Sequence, residues 1–184
     1  MSILKLSRGY WGAGALAALA GLFLAAQPGQ AVKVGDGTVY FTSVPRLVNT
    51  TAYNRMINFR SNLYFTIAVP ANAGEPLQRV DVDLGDLGPE YYPDLGRTEV
   101  VNAEGSERRY ALDKVVITGD RFQPSVSVRL AEPVEPGNTV VVGLPIYLAS
   151  RIGGTQLFGI TAFPPGEKAH GQFLGYGHIR IDDN

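Results

Sequence analysis

Hydrophobic and polar residues alternate in short runs along most of this 184-residue chain. The clearest run is LQRVDVDL, residues 77–84, in which Val80, Val82 and Leu84 share one face while charged side chains occupy the other. A period of two indicates a β-strand with one buried face and one face in solvent. This segment is therefore predicted to be a half-buried strand.

Similar runs separated by turn-forming residues predict an all-β protein. Further strands are expected at TVYFTSV (38–44), NLYFTIAV (62–69), TEVVNA (98–103), VVITGD (115–120), SVSVRLA (125–131) and NTVVVGLPIYLA (138–149). Residues 46–61 are compatible with a loop, an irregular strand or one short helix, whereas ERRYALDK (107–114) is a polar stretch. Short strands at such spacing are typical of an antiparallel β-sandwich with Greek-key or immunoglobulin-like topology, here of about eight strands.

The segment 157–181 is rich in both glycine and aromatic residues. It is predicted to form a hairpin of two strands, 157–163 and 173–181, joined by PPGEKAHG. Glycine next to an aromatic side chain lets the ring cover the backbone of a strand. We therefore expect these glycines to make room for aromatic rings and not to form a binding or catalytic site. Alternation along 173–181 places Phe173 on the same face as Ile179.

The first 31 residues have the pattern of a secretory signal peptide. Lys5 and Arg8 precede an uncharged apolar run of 16 residues, 11–26, which Pro28 ends before the small residues of a cleavage site. The alternative is a retained membrane anchor, but the run is shorter than the roughly 20 residues that a spanning helix needs. An N-terminal signal helix that is removed at residue 31 is predicted, with membrane contact only during export.

Cleavage would leave residues 32–184 as a single β-sandwich domain. Its 14 basic and 17 acidic residues give a net charge of −3, which offers no electrostatic reason to bind nucleic acid. The chain has no cysteine, so disulfides and thiolate chemistry are excluded. The prediction is an exported protein of the periplasm or cell envelope that is stabilised by its apolar core.

Metal and cofactor sites have little support in the sequence. DVDLGD (81–86) resembles the start of a calcium loop, but the order of acids and glycines departs from that pattern. A calcium site formed by Asp86, Glu90 and Asp94 nevertheless stays possible. The two histidines, His170 and His178, are expected at opposite ends of the hairpin, too far apart to share a metal easily. No metal site and no cofactor are predicted.

Catalytic motifs are also missing. The sequence has no G-x-S-x-G nucleophile motif, and GAGALA (12–17) lies in the export signal rather than after a strand, where a dinucleotide site needs it. A pair of carboxylates that meet across the fold, as in glycoside hydrolases, stays possible. No catalytic residue is predicted, and the protein is expected not to be an enzyme.

The loop 85–96 carries the strongest candidate for recognition. Its two adjacent tyrosines lie between prolines, with acidic residues nearby, and exposed aromatic side chains can anchor a protein or stack on a sugar. The alternative is that the tyrosines fold back and cap one end of the sandwich. The candidate binding residues are Asp86, Glu90, Tyr91, Tyr92 and Asp94.

Three motifs, YFTIAVPANAGEPLQ (64–78), TAFPPGE (161–167) and GQFLGYG (171–177), resemble a cyanobacterial family of exported proteins with a domain of unknown function. The resemblance covers most of residues 38–181 and is looser over 85–135. It implies export, a β-rich fold and a bacterial source. It implies no activity and no site residue.

Three hypotheses about function follow. The first is a non-catalytic envelope or periplasmic domain that binds a protein or glycan through its loops. The second is a carbohydrate-active hydrolase with two carboxylates in a cleft, and the third is a periplasmic metal-binding module. A flat apolar patch on one sheet would favour a protein partner.

Overall fold

The structure is a computed structural model that describes residues 32–33, 37–85, 92–104, 108–120, 123–148 and 153–182. The predicted signal peptide lies outside the described residues. The strands are β1 (Val32–Lys33), β2 (Val39–Tyr40), β3 (Arg46–Ala52), β4 (Arg60–Ala68), β5 (Leu77–Asp83), β6 (Tyr92–Pro93), β7 (Glu99–Asn102), β8 (Arg109–Tyr110), β9 (Leu112–Gly119), β10 (Pro124–Val134), β11 (Thr139–Tyr147), β12 (Gly154–Phe163) and β13 (Gln172–Ile181). A 3-10 turn spans Leu95–Arg97.

Most of these strands form two antiparallel sheets. Sheet I has the order β13-β12-β5-β10-β9, and sheet II has the order β3-β4-β11-β7-β8, with β6 also paired to β11. The chain passes repeatedly from one sheet to the other, so that the two central pairs of each sheet join strands that are distant in sequence, whereas the outer pairs are consecutive strands. The neighbouring strands β4 and β11 match strands B and E of immunoglobulin domains. The three neighbouring strands β5, β12 and β13 match strands C, F and G. The prediction of an all-β, immunoglobulin-like sandwich is confirmed.

One hydrophobic core fills the space between the sheets. Alternate residues of β4 and β11 point into it from sheet II, and alternate residues of β5, β10 and β12 point into it from sheet I. The rings of Phe65 and Phe158 meet across the core edge to face, with centroids 5.8 Å apart, and both side chains are completely buried. The facing surfaces of both sheets therefore form the hydrophobic interior, and their outer faces are left to meet solvent.

Several local predictions can be compared with the structure. The strand predicted at 77–84 is confirmed with Val80 and Val82 buried, whereas the strand predicted at 38–44 is reduced to Val39–Tyr40. Residues 46–61 begin as an irregular strand with a bulge at Val48 and continue as turns, so the short helix is not formed there. The polar stretch 107–114 contributes β8 and the start of β9. These edge strands carry little apolar patterning because one of their faces is poorly covered.

A bulge in the C-terminal hairpin corrects the predicted face of Phe173. Ile160 pairs with Gly175, but Thr161 pairs with Phe173, so Leu174 is an extra residue on β13. An extra residue reverses the alternation on one side of the bulge. Phe173 therefore points to the outer face of sheet I instead of sharing the inner face with Ile179, which is buried.

The prediction that hairpin glycines accommodate aromatic rings is confirmed at two positions. A β-carbon at Gly171 would lie 2.5 Å from Cε1 of Phe163, and one at Gly159 would lie 3.5 Å from Cε2 of Phe173. The prediction is wrong at Gly175, where a β-carbon would have no neighbour within 4 Å, and at Gly177, which faces Thr50 of β3 and not a ring. At Gly177 glycine allows a close approach between the two sheets at their β13–β3 corner.

Thr98 offers a test of an unpaired buried hydroxyl. Its side chain is 8% exposed, and its Oγ1 has no hydrogen-bond partner among the described residues. Valine has a similar shape and removes the unpaired group, so we expect Thr98→Val to raise the free energy of unfolding by about 1 kcal/mol. Urea unfolding followed by circular dichroism measures the change.

Ser127 provides the matched control because it is also 8% exposed but donates a hydrogen bond to Asp81 Oδ1 at 2.6 Å. Ser127→Ala should lower the free energy of unfolding by about 1 kcal/mol. If both substitutions change the free energy of unfolding in the same direction, the assignment of Thr98 as the unpaired group is contradicted.

Candidate functional site

The predicted recognition loop is placed only at its ends. Asp86, Glu90 and Tyr91 lie outside the described residues, and of Tyr92 only the backbone is described, paired with Tyr147 of β11. Asp94 is half-buried just before the 3-10 turn, and its carboxylate lies 3.8 Å from Arg60 Nη1. The clustering of these five residues into a binding or calcium site stays a prediction.

Asp94 lies beside a depression in the outer face of sheet II. This depression has a volume of about 310 Å³. It will be called the arginine depression, and it is lined by Asn62, Tyr64, Arg97, Glu99, Arg109, Gly143 and Pro145. A smaller recess beside it is lined by Arg60, Ser61, Asn62, Asp94, Arg97, Pro145, Ile146 and Tyr147. The two share Asn62, Arg97 and Pro145, so the polar depression and the more apolar recess adjoin each other.

The floor of the arginine depression depends on Gly143. This residue pairs with Tyr64 of β4 on one side and with Glu99 of β7 on the other. A β-carbon here would lie 3.3 Å from Cε1 of Tyr64 and 3.1 Å from Cγ of Glu99. Glycine therefore lets the Tyr64 ring and the Glu99 side chain close over the central strand. A larger residue would raise the floor and push these two walls apart.

The charges around the arginine depression leave a surplus of one guanidinium. Arg109 Nη1 is hydrogen-bonded to Glu99 Oε2, and Arg60 faces Asp94. Arg97 has no ion pair or side-chain hydrogen bond with any residue that the structure describes. Because guanidinium groups bind planar anions with two parallel hydrogen bonds, the depression suits a carboxylate or a similar anion.

A second candidate surface lies on the outer face of sheet I. Leu157 of β12 and Phe173 and Tyr176 of β13 are 44%, 54% and 56% exposed. The two rings meet edge to face with centroids 5.0 Å apart. This surface will be called the aromatic ledge. A shallow pocket of about 310 Å³ beside it is lined by Asp83, Gly85, Thr155, Gln156, Leu157, Gly159 and Tyr176.

Strand register explains why the side chains of the aromatic ledge are exposed to solvent. Gly159 pairs with Tyr176 on one side and with Asp83 of β5 on the other, so it adds no side chain of its own and leaves room for the Phe173 ring. The Asp83 carboxylate accepts a hydrogen bond from the backbone N–H of Gly85 at 2.9 Å. On the far side, Tyr176 lines a shallow hollow with Val48, which the β3 bulge leaves 60% exposed. Tyr176 and the exposed Val48 thus border the same mainly polar hollow at the β13–β3 corner.

The remaining candidate ligands are dispersed. The His170 ring packs against Tyr40, with centroids 4.6 Å apart, whereas His178 pairs with Leu157 on the outer face of sheet I. Asp81 accepts the Ser127 hydrogen bond and lies 3.3 Å from Arg79 Nε. Within the part of the chain that the structure describes, no group of three His, Asp or Glu side chains could hold a metal ion.

The sequence did not predict the arginine depression. Its arginines come from the 3-10 turn and from β8, which lie in the region of weakest strand pattern. The only signal was the excess of Arg over Lys, 11 to 3 in residues 32–184, which favours paired contacts over simple solvation. The aromatic ledge was missed because the Leu174 bulge cannot be read from alternation.

The fold and these two open surfaces define an immunoglobulin-like sandwich with no recognisable catalytic constellation among its described residues. The chain belongs to the DUF2808 family, described as a protein of unknown function, which matches residues 38–181. A comparison with curated proteins finds no relative. No helix within the described residues is long and apolar enough to cross a membrane.

Solved structures with a similar fold are distant. They include the D312A form of BcpA, the major pilin subunit of Bacillus cereus, with 9% identity and a TM-score of 0.49 over 76% of this chain and 40% of that chain. An uncharacterized protein of Nocardia farcinica with an immunoglobulin-like fold has 11% identity and a TM-score of 0.45 over 72% and 96% of the two chains. A cohesin module from a family 33 glycoside hydrolase of Clostridium perfringens has 10% identity and a TM-score of 0.41 over 76% and 98%.

The chain spans about two fifths of the length of the BcpA chains that it matches, at 41% and 40%. At such low identity the similarity concerns the fold alone. No enzyme family is indicated by these comparisons.

Proposed function

We propose that this protein is an exported, non-catalytic domain of a bacterial cell envelope or periplasm that binds a protein partner through the aromatic ledge. The N-terminal segment with its basic start, apolar run and small residues supports export. The resemblance to exported cyanobacterial proteins supports the compartment. The single observation that carries the binding function is the exposure of three large apolar side chains side by side on one sheet face.

The chemistry of the aromatic ledge fits a protein better than a small polar ligand. Phenylalanine and tyrosine are enriched at the centres of protein interfaces, where they bury a large area at a small cost in conformational entropy. Asp83, His178 and Arg180 lie on the same sheet face and would form the polar rim that surrounds such a centre. A protein partner with an apolar patch and charged surroundings is therefore the expected occupant.

Two other functions have weaker support. A glycoside hydrolase needs two carboxylates that are free to act in one cleft, but Glu99 and Asp94, which line the arginine depression and its recess, each face an arginine. A metal-binding module needs clustered ligands, and the two histidines lie in separate environments. Neither alternative has an observation in its favour that equals the aromatic ledge.

The test uses the full chain expressed in its native host, with a photo-crosslinking amino acid at Thr155 on the rim of the ledge. The partner recovered from envelope fractions is then purified, and its affinity is measured for the original chain and for Tyr176→Ala and Phe173→Ala. Loss of an interface anchor should weaken binding at least about tenfold. Tyr53→Ala is the matched control, because Tyr53 is 85% exposed and lies outside the ledge.

The proposal is supported only if the ledge variants lose affinity and Tyr53→Ala keeps it. Unchanged binding in both ledge variants would overturn it. If sedimentation shows that the chain self-associates through the ledge, the partner is a second copy of this chain. If the crosslinked product resists protease and yields sugar, the partner is a glycan.

A further inference from the structure

We infer that the arginine depression on sheet II is a second binding site, for the carboxylate of an acidic saccharide. The site lies on the sheet opposite to the aromatic ledge and does not depend on it. Its occupant is identified by three properties of the lining: a surplus positive charge, a mixture of hydrogen-bond donors and acceptors, and an open, shallow shape.

The surplus charge comes from Arg97. Arg109 is bound to Glu99 and Arg60 faces Asp94, so that of the three arginines around the depression and its recess only Arg97 lacks an anionic partner among the described residues. The whole chain carries a net charge of −1, so general attraction for a polyanion is absent. An anion that binds here must be recognised locally, and a guanidinium recognises a carboxylate with two parallel hydrogen bonds.

The other side chains fit the hydroxyl groups of a sugar. The Asn62 amide lies 3.3 Å from the Tyr64 hydroxyl, to which it donates, and both groups keep further hydrogen-bonding capacity. The Glu99 carboxylate is an acceptor on the same wall. A ligand with only negative groups would be repelled by Glu99, whereas a uronate presents one carboxylate to Arg97 and hydroxyl donors to Glu99.

The shape favours a linear saccharide over a protein. A volume of about 310 Å³ lies at the lower end of the range for small-molecule pockets. The adjoining recess reaches the partly exposed ring of Tyr147, where the C–H face of a second sugar could stack. Protein interfaces usually have an apolar centre, and the lining here is dominated by charged and amide groups.

Titration of the purified full chain tests the inference. The probes are the trisaccharides of galacturonate, glucuronate and mannuronate, together with their methyl esters, which keep the sugar and remove the charge. At least one acid should bind, and its ester should bind at least about tenfold more weakly because a charge-assisted contact is lost. Triglutamate is included to distinguish a peptide carboxylate from a saccharide carboxylate.

Substitutions of Arg97 test whether the acid binds in the arginine depression. Arg97→Gln should weaken binding of the acid at least about tenfold, and Arg97→Lys should restore part of it, because lysine keeps the charge but not the planar fork. Arg180→Gln is the matched control, since Arg180 is 78% exposed in its side chain and lies on the other sheet. Equal urea midpoints for the variants would confirm that they fold alike.

Three results would overturn the inference: no binding of any of the three acids, equal binding of acid and ester, or unchanged binding by Arg97→Gln. Stronger binding of triglutamate than of every uronate would assign the depression to a peptide. Because Tyr176→Ala should leave uronate binding intact, failure here is distinguishable from failure of the proposed ledge function.

Discussion

Phe158→Ala is expected to lower the free energy of unfolding by about 3–5 kcal/mol. Phe158 is completely buried on β12, and its ring meets Phe65 of β4 across the core at 5.8 Å. Alanine would remove the apolar contact between the two sheets and leave a cavity that strands on both sides cannot easily close. Urea unfolding of the purified chain, followed by both fluorescence and circular dichroism, gives the value.

The neighbouring residue supplies the control. Leu157 lies next to Phe158 on the same strand, but its side chain points to the outer face and is 44% exposed. Leu157→Ala should change the free energy of unfolding by less than about 1 kcal/mol. Similar losses for the two substitutions would contradict the assignment of the buried face of β12.

Gly177→Ala is expected to lower the free energy of unfolding by about 2 kcal/mol through overpacking. A β-carbon at this position would lie 2.6 Å from Oγ1 and 2.8 Å from Cγ2 of Thr50. The strand β13 would have to move away from β3, and the corner between the two sheets would open. The same unfolding measurement detects the loss.

A second substitution tests the cause. Thr50→Ala removes Oγ1 and Cγ2 and leaves only the β-carbon, 3.2 Å from the new methyl group. The double variant Gly177→Ala/Thr50→Ala should recover about 1 kcal/mol relative to the sum of the single changes. If the two changes in the free energy of unfolding add without any recovery, Gly177 is required for a reason other than its contact with Thr50.

The sequence predicted the sandwich because most of its strands have one face in the core. The alternation in 77–84 indicates both the strand and its buried face, and Val80 and Val82 lie where it places them. The edge strand β8 and the first residues of β9 were not predicted, because an edge strand has fewer packing partners and its sequence can be polar on both faces. The extra residue Leu174 has no local signature, so the face of Phe173 was predicted wrongly.

The candidate site was harder to predict than the fold. A binding surface on a sheet combines residues that are distant in sequence, such as Tyr64, Arg97 and Arg109, and their meeting depends on strand order. Residue patterns along the chain report only on sequence neighbours, and they therefore pointed to the loop 85–96. Asp94 of that loop does line the recess beside the arginine depression, since β6 pairs with β11 at the same end of sheet II.

The placement of the two surfaces on opposite sheets has a consequence for assembly. Facing sheets stack about 10 Å apart, so the sandwich is a thin slab with a different chemistry on each broad side. A molecule held on one side does not obstruct the other, and both can be occupied at once. If both proposals hold, the domain would carry a polypeptide on sheet I and an acidic saccharide on sheet II at the same time.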